Sequence, residues 1–240
     1  MEDNSQPKSA AQSALSISEA AHRNHEEWFP LHKSTLKITD PDLIEIFDNF
    51  AFDEVIAYGR LDTKTRVIVT LASIIGSQAL SEYKVMLAAA VSVGVTPVEV
   101  KEIVYQSVPY VGLAKAFDFV HATNEFLVSN GIELPLESQS TTTPETRYDN
   151  GLATQKAVFG DVIDKLYEQS PEDQLHIQRY LSANCFGDFY TRTGLDIKTR
   201  ELVTLSILIA LGGGALLTVI TQLFALGRLS ADIECIEMPE

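Results

Sequence analysis

Apolar residues recur every three to four positions along most of this chain, and no stretch sustains an alternation of apolar and polar residues. The first spacing is typical of helices that bury one face, and the second of strands. The pattern therefore predicts an all-α protein. The first clear helix starts at Pro41, and four more are predicted over residues 64–75, 81–93, 97–108 and 114–129.

Capping and breaking residues mark the ends of these predicted helices. Asp62 or Thr63 can accept a hydrogen bond from the free N–H groups at the start of the second helix. Residues 96–99 read Thr-Pro-Val-Glu, which is a capping box with proline at the first helical position. Pro109 and Gly112 are expected to end the helix that this box opens.

Composition along the chain divides it into four parts. Residues 1–39 form a polar N-terminal arm, in which we expect Trp28 to dock on the core or on a neighbouring subunit. The three histidines near Trp28 could hold a metal, but Pro30 interrupts their helix, and we predict no metal site. The polar stretch 136–146 is predicted to be a linker. It separates a first helical unit, residues 40–135, from a second, residues 147–240.

The two helical units resemble each other in sequence. Residues 61–71, LDTKTRVIVTL, recur 134 residues later as LDIKTRELVTL at 195–205. Further along, residues 103–106 match 219–222, where the offset is 116. The second copy is therefore predicted to lack 18 residues, which correspond to the third helix of the first copy.

The net charge of the chain limits the classes of partner that it is expected to bind. The formal net charge is −15, with 33 acidic residues against 18 basic ones. A nucleic-acid backbone or an anionic membrane surface needs clustered Lys and Arg, so neither partner is expected. The uncharged run 202–227 is long enough to span a membrane, but the glycines at 212–214 interrupt it, and we predict no membrane span. Two distant cysteines and no signal-like leader favour a reduced, cytoplasmic protein.

The repeated phrase and its surroundings resemble a known family. LDxKTRxxVTL followed by VGVTPVEVKEIVYQSVPYVGLAKAFDFV is similar to the carboxymuconolactone decarboxylase family, within the wider group of alkylhydroperoxidase D-like proteins. The phrase FGDFYTRTGLDIKTRELVTLSILIALGG in the second unit resembles it as well. The likeness covers roughly residues 40–130 and 175–227. It implies a tandem-repeat helical bundle of the alkylhydroperoxidase D-like type that assembles into a homo-oligomer.

The resemblance also directs attention to particular residues. Members of the peroxidase-like branch carry a CxxC pair and a histidine on the helix after KTRELV, and this chain has no Cys or His between residues 67 and 120. Glu201 matches the acidic residue of the family and is a catalytic candidate, as is Glu82 on the third helix. Arg66, Arg200 and Lys84 are candidates for binding substrate carboxylates, although either arginine could instead tie the start of its helix to a loop.

Three functions remain open at this point. The first is a carboxymuconolactone decarboxylase-like protein, active, weakened or inactive, that acts on a small carboxylated ring compound without a cofactor. Such chemistry needs cations for the carboxylates and an acid to protonate a dienolate carbon. The second is a non-catalytic oligomeric binding or scaffold protein. The third, a thiol peroxidase, is disfavoured because Cys185 and Cys235 are far apart and neither lies on the helix where the resemblance expects the pair.

Overall fold

A computed structural model of the chain describes residues 16–30, 32 and 34–212. Helices account for most of these residues, and no strand occurs among them, so the prediction of an all-α fold is confirmed. The chain divides after Gly59 into two compact units. The α-helices are α1 (Glu19–Trp28), α2 (Leu36–Thr39), α3 (Pro41–Asn49), α4 (Val55–Tyr58), α5 (Thr63–Gly76), α6 (Leu80–Ser92), α7 (Pro97–Val111), α8 (Leu113–Ser129), α9 (Arg147–Phe159), α10 (Val162–Gln169), α11 (Leu175–Tyr180) and α12 (Ile197–Ala210).

Two segments have the wider π-helical hydrogen-bonding pattern. The first π segment, Phe50–Glu54, follows α3, and the second π segment, Leu181–Tyr190, follows α11. Such segments are rare and often lie at functional sites. The second is ten residues long and carries two of the site residues discussed below.

Aromatic packing holds the first unit together. Trp28 at the end of α1 is buried and meets Phe52 edge-on, with ring centroids 5.4 Å apart. The side-chain amide of Asn24 donates to the carbonyl of Phe52 at 2.6 Å, and Ser18 caps α1 by accepting from the backbone N–H of Ala21. Trp28 therefore docks within the first unit.

The outward face of α3 differs from the sequence expectation. Leu43, Ile46, Phe47 and Phe50 recur at helical spacing, which predicts a core face. All four are nevertheless between 53 and 59% exposed. The periodicity is present, but nothing in the described part of the chain covers it.

In the second unit, α5 and α12 pack against each other, and α7 lies against both. α8 packs on α7 and α6, while α9 packs along the second π segment. The apolar residues of α12, such as Val203 and Ile207, are buried by these neighbours.

The helix starts follow the predicted capping. Asp62 accepts a hydrogen bond from the backbone N–H of Thr65 at 2.9 Å, and Asp196 accepts one from Thr199 at the same distance. Both hydrogen bonds of the capping box at Thr96 and Glu99 are formed. The end of α7 was predicted too early. The helix passes through Pro109 and stops at Gly112, whose φ of +81° favours glycine.

The remaining expectations about the second helical unit fall partly outside the described residues. The part of the second copy beyond Gly212 lies outside them. That part includes the predicted 18-residue gap, the end of the uncharged run and Cys235. None of the helices within the described ranges combines the length and apolar character that crossing a membrane requires. The existence of a tandem second copy and the four-part division of the chain remain predictions.

Candidate functional site

A group of buried polar side chains lies where α7, the second π segment and α12 meet. The hydroxyls of Tyr110 and Tyr190 are 3.0 Å apart, and the hydroxyl of Tyr190 is 2.9 Å from that of Thr204. The thiol sulfur of Cys185 lies 3.7 Å from the hydroxyl of Tyr110. Together with Glu201, these residues form what we call the acid–tyrosine cluster.

Local structure explains why these side chains converge. Cys185 and Tyr190 are five residues apart, and the i→i+5 hydrogen bonds of a π-helix bring residues at that spacing together. Glu201 and Thr204 are three apart on α12 and share a face. Tyr110 belongs to the turn of α7 that continues past Pro109.

Glu201 is a carboxyl group held in an unusual environment. The residue is 3% exposed, and its Oε1 has no hydrogen-bond partner among the residues that the structure describes. Burial raises the pKa of this carboxyl above its ordinary value, and a hydrogen bond from Tyr190 opposes that rise only in part. Glu201 therefore keeps its proton to higher pH than a surface glutamate and is suited to act as an acid.

The neighbours of Glu201 resist ionisation for the same reason. Burial raises the pKa of the Cys185 thiol to about 11, despite a favourable hydrogen bond from Tyr110. Burial likewise raises the pKa values of Tyr110 and Tyr190. At neutral pH the Cys185 thiol and both tyrosine hydroxyls therefore keep their protons, and Cys185 is a poor nucleophile.

An ionic group adjoins this cluster. The carboxylate of Glu102, which is 1% exposed, accepts from Nε of Arg192 at 2.9 and 3.0 Å and from a terminal nitrogen of Arg200 at 2.9 Å. Gln106 connects the two groups, since it accepts from Arg200 at 3.0 Å and donates to Thr204 at 3.1 Å. We call Glu102, Arg192 and Arg200 the arginine cluster.

The structure brings only two of the residues predicted from the sequence into this region. Glu201 belongs to the acid–tyrosine cluster and Arg200 to the arginine cluster. Arg200 is fully buried and also donates to the carbonyl of Arg192 at 2.8 Å, so it supports the site from behind. Burial lowers the pKa of its guanidinium, and Glu102 opposes that effect.

The other three predicted residues lie elsewhere. Arg66 is partly buried at the start of α5 and donates to the carbonyl of Leu61 at 3.3 Å. Glu82 and Lys84 are exposed on α6, where the Lys84 ammonium lies 3.9 Å from Glu125. None of the three belongs to either cluster, and their roles in binding or catalysis remain predictions.

Sequence reasoning missed Tyr110, Tyr190, Glu102 and Arg192. Two of these could have been identified from the sequence. Glu102 is an acidic residue on the apolar side of an amphipathic helix, and Arg192 stands between two buried segments. The tyrosines carry no such signal, because a tyrosine at helical spacing is ordinarily a core residue.

Two clefts border the clusters, and Arg192 lines both. The first, which we call the Tyr190 cleft, has a volume of about 460 Å³. Its walls include Tyr190, Arg192, Thr154 and Leu195. The second, the Tyr105 cleft, has a volume of about 300 Å³ and lies between α7 and residues 135–139. Both volumes suit small molecules.

The described residues form a helical bundle, and Glu201 of the KTRELV phrase is the acidic residue that the resemblance expects. Both features agree with the class of alkylhydroperoxidase D-like proteins that the sequence resembles. Residues 41–125 match the sequence model of the carboxymuconolactone decarboxylase family, so this part of the chain is similar to that family. The predicted resemblance is thereby confirmed for the first helical unit, and the resemblance of residues 175–227 stays a prediction.

A relative gives the comparison more detail. Over 69 residues the chain is 33% identical to a 4-carboxymuconolactone decarboxylase of Acinetobacter baylyi. That match covers 28% of this chain and 52% of the relative. The chain therefore spans about half the length of the curated relative it matches.

Proposed function

We propose that this protein is a carboxymuconolactone decarboxylase-like enzyme that binds a small carboxylated ring compound in the Tyr190 cleft. The observation that carries the proposal is the buried carboxyl of Glu201, whose pKa is raised by burial and which is hydrogen-bonded to Tyr190. The family match and the relative's name support the reaction class. The Tyr190 cleft offers a ring-sized space whose lining residues include Tyr190, Thr154 and Arg192.

The reaction assigns a task to each group. Loss of CO₂ breaks a carbon–carbon bond and leaves its electron pair on the ring as a dienolate. A carbon of that dienolate must then take up a proton. In the proposed mechanism the hydroxyl of Tyr190 delivers this proton and is reprotonated by Glu201, which recovers its own proton from solvent. A neutral carboxyl at physiological pH is what this relay requires.

Arg192 is the proposed anchor for a carboxylate that the substrate retains. Its side chain is 17% exposed, and Glu102 and the buried Arg200 hold its position. Arg200 would thus act through Arg192, as a positioning residue. A guanidinium fixed in this way presents its remaining N–H groups in a defined direction, which suits a planar carboxylate.

The proposal is tested by CO₂ release from 4-carboxymuconolactone. Glu201→Gln keeps the size of the side chain but removes the acid, and kcat is expected to fall about 100-fold or more. Glu168→Gln, which changes an exposed glutamate on α10, is the matched control and should retain activity. Absence of turnover by the unaltered protein across pH 5 to 8, or equal activity of Glu201→Gln, would overturn the proposal.

A second function, non-catalytic binding, is favoured by one observation. The resemblance places reactive residues on the helix that corresponds to α6, yet the inward side chains of α6 include Tyr83 and Met86. The hydroxyl of Tyr83 is already engaged with Thr123 at 2.7 Å. Saturable binding of 4-carboxymuconolactone without any CO₂ release would establish this alternative in place of the enzyme.

The proposed form is a cytoplasmic homo-oligomer. Acidic composition and the absence of a disulfide pattern support the location. Assembly is supported by the apolar positions on α3 that nothing described covers, Leu43, Ile46 and Phe47. Light scattering should give a mass above that of one chain, and Phe47→Glu should lower it. A monomeric unaltered protein at micromolar concentration would contradict the assembly.

A further inference from the structure

The Tyr105 cleft has features that the proposed reaction does not use. Glu102 lines this cleft and is linked to the acid–tyrosine cluster through Arg200 and Gln106. The lining also includes Lys101, Tyr105, Arg192 and Val98. Residues 135–139 form its other wall. A cleft of about 300 Å³ is at the small end of the volumes of ligand sites, which run from roughly 300 to 1,000 Å³.

The cleft has an excess of positive charge at its base. Two guanidinium groups, those of Arg192 and Arg200, share the single carboxylate of Glu102. The buried arginine cluster therefore carries one positive charge more than negative. Lys101 adds a second cation on the lining, and its ammonium is fixed by the side-chain oxygen of Asn124 at 2.5 Å. Glu137, which is exposed at the rim, offsets one of these charges.

An aromatic surface lies between the two cations. The centroid of the Tyr105 ring is 5.7 Å from the ammonium of Lys101 and 5.1 Å from the guanidinium carbon of Arg192. These distances fall within the range of cation–π contacts, which hold the long side chains beside the ring. The partly buried ring of Tyr105 and the side chain of Val98 supply an apolar surface.

We infer that the Tyr105 cleft is a second binding site, selective for a small aromatic or planar monocarboxylate. The carboxylate pairs with Lys101 and Arg192, while the ring of the ligand packs on Tyr105 and Val98. One excess positive charge matches a single carboxylate and not a nucleotide polyphosphate, which would need several more cations. The two clefts share Arg192, but Lys101 and Tyr105 line only this one, so variants of these two residues test it separately from the decarboxylase proposal.

Benzoate is the probe, and binding to the full chain is measured by isothermal titration calorimetry or by NMR. Benzamide, which has the same shape without the charge, should bind at least tenfold more weakly. Lys101→Gln and Tyr105→Leu should each raise the Kd for benzoate about tenfold. Lys165→Gln, which removes an exposed lysine on α10, is the matched control and should leave the Kd unchanged.

Two further measurements keep the test decisive. Ala153→Leu narrows the Tyr190 cleft alone, so benzoate affinity should persist in this variant while decarboxylation falls. Circular dichroism melting confirms that each variant is folded. The inference is overturned if benzamide binds as tightly as benzoate, if Lys101→Gln and Tyr105→Leu leave the Kd unchanged, or if Ala153→Leu abolishes benzoate binding.

Discussion

Helices α5 and α12 begin with nearly the same sequence and finish in different surroundings. Each has fourteen residues, starts after an aspartate that caps the helix, and is preceded by a π segment. Yet Val67 of α5 stands where α12 has Glu201, 134 positions later. Val67 is an apolar core residue, whereas Glu201 is a buried acid with a raised pKa.

The arginine before each of these positions shows the same contrast. Arg66 and Arg200 both donate to a backbone carbonyl of the loop that precedes their helix. Arg200 is fully buried and is bonded to the carboxylate of Glu102 as well, whereas Arg66 is only partly buried. The shared phrase therefore determines where each helix starts, while contacts with Glu102 and Gln106 of α7 hold the arginine of α12 in the interior.

The largest expected effect on this contrast comes from removing the two arginines in turn. Arg200→Ala breaks a buried ion pair and leaves Gln106 without its donor, so the free energy of unfolding should fall by about 3 kcal/mol. Arg66→Ala at the matching place removes a side chain that is only partly buried, so it should cost less, about 1 kcal/mol. Urea denaturation measures both. Equal losses would mean that the two arginines contribute equally to the free energy of unfolding, which would contradict the contrast between α5 and α12.

A smaller effect is expected where the two helices touch. A Cβ built on Gly76 of α5 would lie 2.8 Å from the Cβ of Ala210 and 2.9 Å from the carbonyl oxygen of Ile207 on α12. Gly76→Ala should therefore destabilise the fold by about 2 kcal/mol. Adding Ala210→Gly should relieve only part of the strain, since the Ile207 carbonyl remains. A double-mutant cycle measures the coupling, and strictly additive effects would contradict this contact.

Replacing the buried acid should change the pH dependence of stability. The carboxyl of Glu201 ionises near 4.5 when unfolded and at higher pH when folded. The folded state then holds more protons, so the free energy of unfolding falls as the pH rises from about 4.5 to the folded pKa. Glu201→Gln should lose this component, and Glu82→Gln should keep it. Urea titrations from pH 4 to 8 compare them, and parallel curves for all three proteins would show that Glu201 titrates normally.

The smallest effect concerns the thiol next to that acid. With a pKa of about 11, Cys185 is thiolate in only about one molecule in ten thousand at pH 7. In a Cys235→Ser background, iodoacetamide should label folded protein far more slowly than urea-unfolded protein. The same background should show no hydroperoxide turnover with a dithiol reductant. Rapid labelling of the folded protein, or turnover that Cys185→Ser removes, would indicate a reactive thiol.

Much of the fold was predictable because its signals are local. Caps at Asp62, Asp196 and Thr96 lie within three residues of the N–H groups they bind, so the sequence displays them directly. The end of α7 was not predictable in this way. A proline normally interrupts a helix, and tertiary packing keeps α7 helical for two residues beyond Pro109.

The candidate site was predictable only where a polar residue interrupts an apolar pattern. Glu201 and Arg200 stand out in a phrase that repeats. Tyr110 and Tyr190 do not, because their role arises from contact between positions 80 residues apart. The apolar spacing of α3 led to a wrong prediction of a buried face. Spacing alone does not tell whether the surface that covers such a face belongs to the same chain.

The close approach of Gly76 and Ala210 bears on how such a chain could have arisen. These two residues are 134 positions apart, the same interval that separates the LDxKTR phrases. Counterparts meet one another only along a two-fold axis, as they do in a symmetric dimer. If the tandem repeat holds, as the sequence predicts, the chain corresponds to a dimer fused into one polypeptide, and fusion releases the halves of a dimer from the need to stay identical. One half is then free to keep valine for stability while the other evolves an acid.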